Sequence, residues 1–152
     1  MERLTKDEKA ISMVESFLNR AWHKLDEAKD HLKRLHYPES ISASQECMEL
    51  SIKAIFLLLQ EEYPKRHDFK EEEFERILEK VPESLQYLNL PKIYLFTKFW
   101  LNFYTIAKYG FEKLGVGPEK LFGEEEANLA LKHAEECRMA ASQIESHVKY
   151  GA

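Results

Sequence analysis

The sequence predicts an all-α protein, an antiparallel up-and-down helical bundle of four main helices plus one short helix. Three observations lead to this prediction. Apolar residues recur at steps of three and four along the first and last segments, a central segment is apolar around most of its circumference, and no segment alternates with a period of two. A length of 152 residues favours one domain over 1–152, with two domains as the less favoured alternative.

The composition is typical of a soluble globular protein, with 32% charged and 44% apolar residues. A formal net charge of -5 argues against a broad electrostatic surface for nucleic acid, although a local basic patch stays open. The N-terminal segment lacks the apolar core of a signal peptide, and no apolar run reaches the roughly 20 residues of a membrane span. We therefore expect a cytoplasmic protein without membrane contact.

The first helix is predicted from Thr5 to His36. Thr5 and Glu8 form a capping box, in which each side chain satisfies a backbone N–H of the first turn. The inward-facing positions are Val14, Leu18, Ala21, Leu25, Ala28, Leu32 and Leu35. A seam with this spacing favours a helical bundle, and a coiled-coil dimer is the alternative.

The central helix is predicted from Ser40 to about Glu62, after a proline break, with Ser40 or Ser42 as its cap. Most of its surface is apolar or small, so we expect other helices to enclose it. Its polar residues follow one narrow stripe, which we expect to face a cleft or a partner. The stripe consists of Ser42, Gln45, Glu46, Glu49, Lys53 and Gln60.

A short helix is predicted from Phe69 to Lys80, where Asp68 and Glu71 form a second capping box. Its predicted inward face consists of Phe74, Ile77, Leu78 and Val81. The following residues, 83–90, are expected to form one loose helical turn.

The next helix is predicted to begin at Pro91 and to continue to Tyr109, with Gly110 as its C-terminal cap. It carries a dense row of aromatic residues, Tyr94, Phe96, Phe99, Trp100, Phe103 and Tyr104. Aromatic side chains dominate protein cores and interfaces. We expect core packing, and the alternative is that the outer rings form a dimer interface.

Residues 111–123 contain three glycines and a proline and are predicted to be a loop. The last helix then opens at 124–126 with three glutamates, which suit the positive end of a helix dipole. Its predicted seam is Ala127, Ala130, Ala134, Cys137, Ala141, Ile144 and Val148. The two cysteines, Cys47 and Cys137, fall on apolar helix faces and are predicted to be reduced core thiols.

No metal and no cofactor are predicted. None of the six histidines has a glutamate three residues before it, the spacing that di-iron helical bundles use. Closely spaced cysteine and histidine ligands for zinc are absent from the sequence, as is a glycine-rich phosphate loop. The acidic runs at 71–73 and 124–126 are interpreted as solvated helix starts rather than metal ligands.

Three polar pairs remain as candidate sites. They are a Glu–Lys pair four residues apart on the central helix, a His–Asp pair at a helix junction and a Lys–Tyr pair at the end of the aromatic helix. Each pair also has a purely structural explanation. The Glu–Lys pair can be an ion pair satisfied inside the bundle, the aspartate of the His–Asp pair can cap a helix, and the lysine of the Lys–Tyr pair can stabilise a helix C-terminus. The candidate binding residues are Glu49, Lys53, His67, Asp68, Lys108 and Tyr109.

Around these candidate residues, and over most of its length, the chain resembles the HEPN domain, a helical nucleotide-binding family of prokaryotes and eukaryotes. The likeness begins in the first helix, at 21–35, and covers most of residues 7–148. It continues through Lys108-Tyr109-Gly110 and the alanine-rich last helix. It is most specific over residues 40–69, where a serine- and alanine-rich helix start precedes Gln45, Glu49, Lys53-Ala54 and Tyr63-Pro-x-x-His67-Asp68.

The resemblance implies an antiparallel helical bundle, often a homodimer. Many relatives are encoded beside a minimal nucleotidyltransferase and act as its toxin partner. Active members of the family are metal-independent ribonucleases with an R-x(4–6)-H motif. This sequence departs from that motif, because Lys108-Tyr109 takes the arginine–tyrosine position and no histidine follows within six residues. None of the arginines elsewhere in the chain is followed by a histidine at the sequence spacing that this motif requires.

The sequence therefore favours a non-catalytic or degenerate HEPN-like binding module within a toxin–antitoxin type system. Its expected partners are a second copy of the chain, a minimal nucleotidyltransferase, and a nucleotide or RNA. One alternative is a metal-independent ribonuclease with a non-standard site that uses His67, Lys108 and Tyr109. The other is a structural homodimerisation bundle.

Overall fold

Six α-helices form the part of the chain that the computed structural model describes, residues 6–151. Three short 3-10 helices connect them, and across these residues no β-strand forms, only a single antiparallel bridge between Phe111 and Val116. The predicted all-α fold class is confirmed. The α-helices are α1 (Lys6–Lys33), α2 (Tyr37–Leu58), α3 (Glu71–Leu78), α4 (Leu90–Leu101), α5 (Tyr104–Tyr109) and α6 (Glu124–Tyr150). The 3-10 helices are Glu83–Leu88, Glu112–Leu114 and Pro118–Lys120.

The central helix of the fold is α2, which packs against both α1 and α6. Its apolar residues are buried around most of the helix circumference, as the sequence predicts; they include Ile41, Ile52, Ile55 and Phe56. Burial of an aliphatic or aromatic side chain contributes about 1.5–3 kcal/mol, so this helix supplies much of the driving force for folding.

The inward seam of α1 is buried from Val14 to Ala28, as its spacing predicts. The helix ends at Lys33 rather than His36, because Leu35 adopts a left-handed conformation with φ of 64°. Leu35 is therefore 66% exposed, and its predicted place in the seam is wrong. Thr5, the predicted cap of this helix, lies outside the described residues.

The start of α2 differs from the prediction. The helix begins at Tyr37, and Pro38 occupies its first turn, where a missing N–H breaks no helical hydrogen bond. Neither Ser40 nor Ser42 caps it. Ser40 is buried, and its hydroxyl donates to the carbonyl oxygen of Ala28 at 2.8 Å, which ties α2 to α1 instead.

The end of α2 also comes earlier than predicted, at Leu58 rather than near Glu62. Gln60 has a φ of 63°, a left-handed conformation that cannot continue a right-handed helix. The chain that follows, residues 59–70, carries the His–Asp pair and is not helical.

α3 is shorter than predicted, and Asp68 does not cap it. The backbone N–H of Lys70 donates to the carboxylate of Glu73 at 2.8 Å, so Lys70 is the capping position. Asp68 instead accepts a hydrogen bond from the Arg66 guanidinium, with Nε 3.2 Å from Oδ1. The predicted inward face is confirmed, since Phe74, Ile77 and Val81 are buried and Leu78 packs against the core.

The predicted aromatic helix is interrupted at Asn102 and Phe103, which separate α4 from α5. Phe103 leaves the helical conformation, and its ring packs against Phe122 with the centroids 5.9 Å apart. Core packing is confirmed for Phe96 and Trp100, which are buried. Gly110 is the C-terminal cap of α5, as predicted, and its N–H donates to the carbonyl oxygen of Ile106; its φ of 67° and ψ of −151° form a conformation that essentially only glycine adopts.

α6 begins at Glu124, as predicted, and the N–H of Gly123 donates to the carboxylate of Glu126 at 2.6 Å. Its seam is buried from Ala127 to Ile144. Val148 is exposed, so its predicted place in that seam is wrong.

The two cysteines are free and buried, which confirms the prediction of core thiols. Cys47 on α2 donates to the carbonyl oxygen of Ala134 on α6 at 3.9 Å. Burial raises the pKa of the Cys47 thiol to about 11 and also raises that of Cys137, because the thiolate form loses hydration.

Candidate functional site

The polar stripe of α2 divides into a buried part and a part that faces a cleft. Gln45 and Lys53 are buried, contrary to the expectation of an open stripe. Ser42 and Glu46 line a cleft of about 350 Å³, as expected. Glu49 lies between these two parts and is partly buried.

Glu49 and Lys53 form an ion pair, with Nζ of Lys53 3.0 Å from Oε2 of Glu49. The side chains of Lys53 and Glu49 are only 11% and 12% exposed, respectively, so the pair is screened less by water and salt than a surface pair. The ring of Tyr63 lies 5.9 Å from the same ammonium and adds a cation–π contact. Glu49 is thus fixed in position from the side of the core.

The second oxygen of the Glu49 carboxylate contacts His67, with Oε1 2.9 Å from Nδ1. Because a carboxylate only accepts, Nδ1 carries the hydrogen, and Nε2 is an acceptor in the neutral imidazole. The His67 side chain is 68% exposed, so the imidazole is hydrogen-bonded to Glu49 on one side and accessible to solvent on the other.

Tyr104, at the start of α5, connects His67 to Lys108. Its ring stacks on the imidazole, with centroids 5.7 Å apart and planes inclined by 24°. Lys108 donates to the Tyr104 hydroxyl at 2.8 Å, and its Nζ lies 4.3 Å from the ring centroid. We name this group the His67 cluster; it consists of Lys53, Glu49, His67, Tyr104 and Lys108.

The hydrogen bond with Tyr104 raises the pKa of Lys108, against a smaller opposing effect of burial. The charge of Glu46 adds to the increase. The side chain is exposed, and within residues 6–151 it forms no ion pair. Lys108 is therefore a fully charged ammonium without a carboxylate in direct contact.

Two of the six predicted site residues lie outside the His67 cluster. Asp68 is occupied by Arg66, which also pairs with Glu73 at 2.7 Å and so secures the start of α3. Tyr109 is exposed and lines the 350 Å³ cleft beside Lys108. The structure therefore brings together Glu49, Lys53, His67 and Lys108 from three separate segments.

Tyr104 was not among the predicted site residues, because its place in an aromatic row indicated core packing. The signal that identifies it is its spacing of four residues from Lys108, which places both side chains on one helix face. Glu46 was predicted only as part of the polar stripe, although it lines the cleft that Lys108 and Tyr109 share.

Among the described residues, no group of three or more His, Cys, Asp or Glu side chains is arranged to hold a metal ion. The helices of that same part of the chain include none that is long and apolar enough to cross a membrane. The chemistry available at the His67 cluster is thus that of an ammonium, an imidazole, a phenol and a carboxylate.

The profile of the HEPN domain matches residues 14–144. Over 48 residues the chain is 42% identical to a protein of Methanocaldococcus jannaschii named Putative toxin MJ1304. That match covers 32% of this chain and 32% of the archaeal protein, about a third of its length. No solved structure matches the chain. Because the family profile spans well over half of its residues, the chain belongs to the HEPN domain family.

Proposed function

We propose that this HEPN protein is a non-catalytic binding module that takes a phosphate-bearing ligand at the His67 cluster. The observation that carries the proposal is the Lys108 ammonium, which is exposed, charged and free of carboxylate partners among residues 6–151. It lies against the Tyr104 ring, whose other neighbour is the exposed imidazole of His67. A cation beside aromatic rings suits a nucleotide, which combines an anionic phosphate with a flat base.

Binding is favoured over catalysis because the arginine and the histidine of the family's ribonuclease motif are absent here. Lysine neutralises a phosphate as a point charge and lacks the planar fork of arginine. No histidine follows Lys108 within six residues, so the general acid–base of the family motif is missing from its usual place.

The proposed protein partner is a minimal nucleotidyltransferase. Support comes from membership of the HEPN family and from the archaeal relative, whose name describes a toxin.

The proposed homodimer uses the outer face of α4. Leu95 and Phe99, one helical turn apart, are both exposed large apolar side chains. Two exposed apolar residues on one helix face are suited to pairing with the same face of a second copy about a twofold axis. Sedimentation of the wild-type chain and of Leu95→Glu tests this, and a monomeric wild-type chain contradicts it.

The binding proposal is tested by titrating the full chain with AMP, GMP and inorganic phosphate and following its thermal unfolding. A ligand that binds the folded state raises the unfolding temperature. We expect a rise with nucleotide that Lys108→Ala removes and that Lys132→Ala, an exposed lysine on α6, retains. Failure of every nucleotide to stabilise the chain, together with no capture of the nucleotidyltransferase on co-expression, contradicts the proposal.

A second candidate function is metal-independent RNA cleavage at the same surface, and the Glu49–His67 hydrogen bond favours it. Glu49 holds the imidazole so that Nε2 accepts the proton of a ribose 2′-hydroxyl. The 2′-oxygen then attacks the adjacent phosphorus, the 5′-oxygen leaves with a proton from solvent, and Lys108 neutralises the phosphate.

An RNA cleavage assay separates the two candidates. Cleavage that His67→Ala abolishes, while Asp68→Asn leaves it intact, selects the ribonuclease. Absence of cleavage, or cleavage that His67→Ala does not change, removes it.

A further inference from the structure

The cleft beside Lys108 has the size and lining of a small-ligand site. It encloses about 350 Å³, and small-molecule pockets of roughly this volume hold ligands of nucleoside size. Its lining joins α1, the first turns of α2 and the end of α5. The lining residues that matter here are Glu27, Glu39, Ser42, Glu46, Lys108 and Tyr109.

Two of the three carboxylates share one ammonium. Lys24 lies 3.1 Å from Glu27 and 3.2 Å from Glu46. Burial disfavours the Lys24 ammonium, but the hydrogen bonds and charges of the two glutamates outweigh it and raise the pKa of Lys24. The carboxylates of Glu27 and Glu46 are therefore held in place by the same ammonium.

Glu39 is the carboxylate left over. It is exposed, lies in the first turn of α2 and has no ion-pair or hydrogen-bond partner within residues 6–151. The N-terminal end of a helix stabilises the negative charge of a side chain in its first turn. Glu39 thus presents two acceptor oxygens to the cleft and no donor.

A nucleotide whose phosphate lies at Lys108 would place its base in this cleft, beside the exposed ring of Tyr109. A carboxylate pairs with two neighbouring N–H donors, which guanine presents as N1–H and the N2 amine. Adenine presents an acceptor at N1 next to its amine, so one carboxylate oxygen would face a lone pair.

We propose that this cleft binds guanine nucleotides, with the base edge on Glu39 and the phosphate at Lys108. The inference rests on the proposed function, because it needs Lys108 as the phosphate contact. It adds a base preference that the His67 cluster alone does not provide.

The test is calorimetric titration of the full chain with GMP, AMP, IMP and inorganic phosphate. GMP is expected to bind about tenfold more tightly than AMP, the low end of what bidentate base recognition provides, because Glu39 is open to water. IMP, which lacks the N2 amine, is expected between them. Equal affinities for GMP and AMP, or tighter binding of AMP, overturn the proposal.

Two variants sharpen the outcome. Glu39→Gln replaces one acceptor by an amide donor, which suits adenine, so the preference for GMP is expected to vanish or reverse. Glu125→Gln, an exposed carboxylate at the start of α6, is the matched control and is expected to keep it. A GMP preference that survives Glu39→Gln overturns the assignment of Glu39.

Failure of this inference is distinguishable from failure of the proposed function. If GMP and AMP bind equally and Lys108→Ala weakens both, the phosphate site stands and the guanine proposal falls. If neither nucleotide binds, both fall. If arginine methyl ester binds as tightly as GMP and Lys108→Ala leaves its binding unchanged, the cleft takes a cationic side chain and the guanine proposal is overturned.

Discussion

Glu49 on α2 and His67 in the segment that follows α2 are joined by a hydrogen bond of 2.9 Å, although 18 residues separate them. The same carboxylate pairs with Lys53 on its other side. One acidic side chain therefore connects a nearly buried ammonium to an exposed imidazole, and substitutions there affect both stability and binding.

Substitution of Glu49 by Gln is expected to destabilise the chain by about 2 kcal/mol, because it leaves the Lys53 ammonium poorly solvated without its counter-charge. The double variant Glu49→Gln with Lys53→Met removes that charge and is expected to recover much of the loss. Chemical denaturation of the single and double variants measures both. A double variant less stable than Glu49→Gln alone contradicts the account.

Folding stability is expected to fall below about pH 6.5 through His133, which accepts from the indole N–H of Trp100 at 2.9 Å and stacks on Phe96. Burial lowers the pKa of His133, an effect that Glu136 opposes and that Lys132 and Lys92 reinforce. A folded pKa below the unfolded value means that the unfolded state binds more protons. The contribution of His133 to folding stability is therefore present above the pKa of the unfolded state. It is lost as the pH falls through the pKa of the folded state.

The measurement is the unfolding free energy between pH 5 and 8 for the wild-type chain and for His133→Asn. Asparagine keeps an acceptor for Trp100 but does not titrate in this range, so the difference between the two curves isolates His133. The wild-type chain is expected to lose stability relative to His133→Asn on acidification. Parallel curves exclude His133 as the titrating group.

The thiols of Cys47 and Cys137 are expected to be unreactive toward a disulfide reagent at pH 8 in the folded chain. Burial blocks access, and the raised pKa of both groups keeps them as thiols. Unfolding in denaturant is expected to release two reactive thiols per chain. Rapid reaction of either thiol in the native protein contradicts the packing of α2 against α6.

Gly110→Ala is expected to destabilise the chain by about 3 kcal/mol, because the new methyl group would collide with the carbonyl of Val116 at a left-handed φ of 67°. Gly115 has a φ of 66° and a ψ of 29°, a left-handed helical conformation, and nothing lies within 4 Å of the added Cβ, whereas the ψ of Gly110 is −151°, in a region that essentially only glycine adopts. Gly115→Ala is thus the comparison variant, which meets neither the collision nor the ψ of Gly110, and its expected loss is about 1 kcal/mol. Equal losses for the two variants, measured by thermal denaturation, contradict this prediction.

The helices of this fold follow from local patterns in the sequence. The spacing of apolar residues predicts the buried seams of α1 and α6, and the nearly continuous apolar surface of α2 predicts its enclosure by other helices. Most errors fall at helix ends, and one, the break at Asn102 and Phe103, falls within a predicted helix. Ser40 has the chemistry of a cap, but packing of α2 on α1 directs its hydroxyl to Ala28, a contact that no local rule predicts.

The candidate site was predicted only in part, because its residues come from three segments. The Glu49–Lys53 pair follows from helical spacing, and Lys108 from its place at a helix end. The contact of His67 with Glu49 depends on where the chain turns after α2, at the left-handed Gln60. Tyr104 joins the site because α4 ends early and a new helix begins there.

We propose that His67 and Lys108 form one ligand-binding surface. The most direct test is the proton NMR signal of the His67 imidazole during titration with a nucleoside monophosphate, with exposed His23 on α1 as the internal reference. We expect a saturable shift of the His67 signal that Lys108→Ala abolishes while the His23 signal stays in place. A His67 signal that does not move at millimolar nucleotide, or one that moves equally in Lys108→Ala, contradicts it.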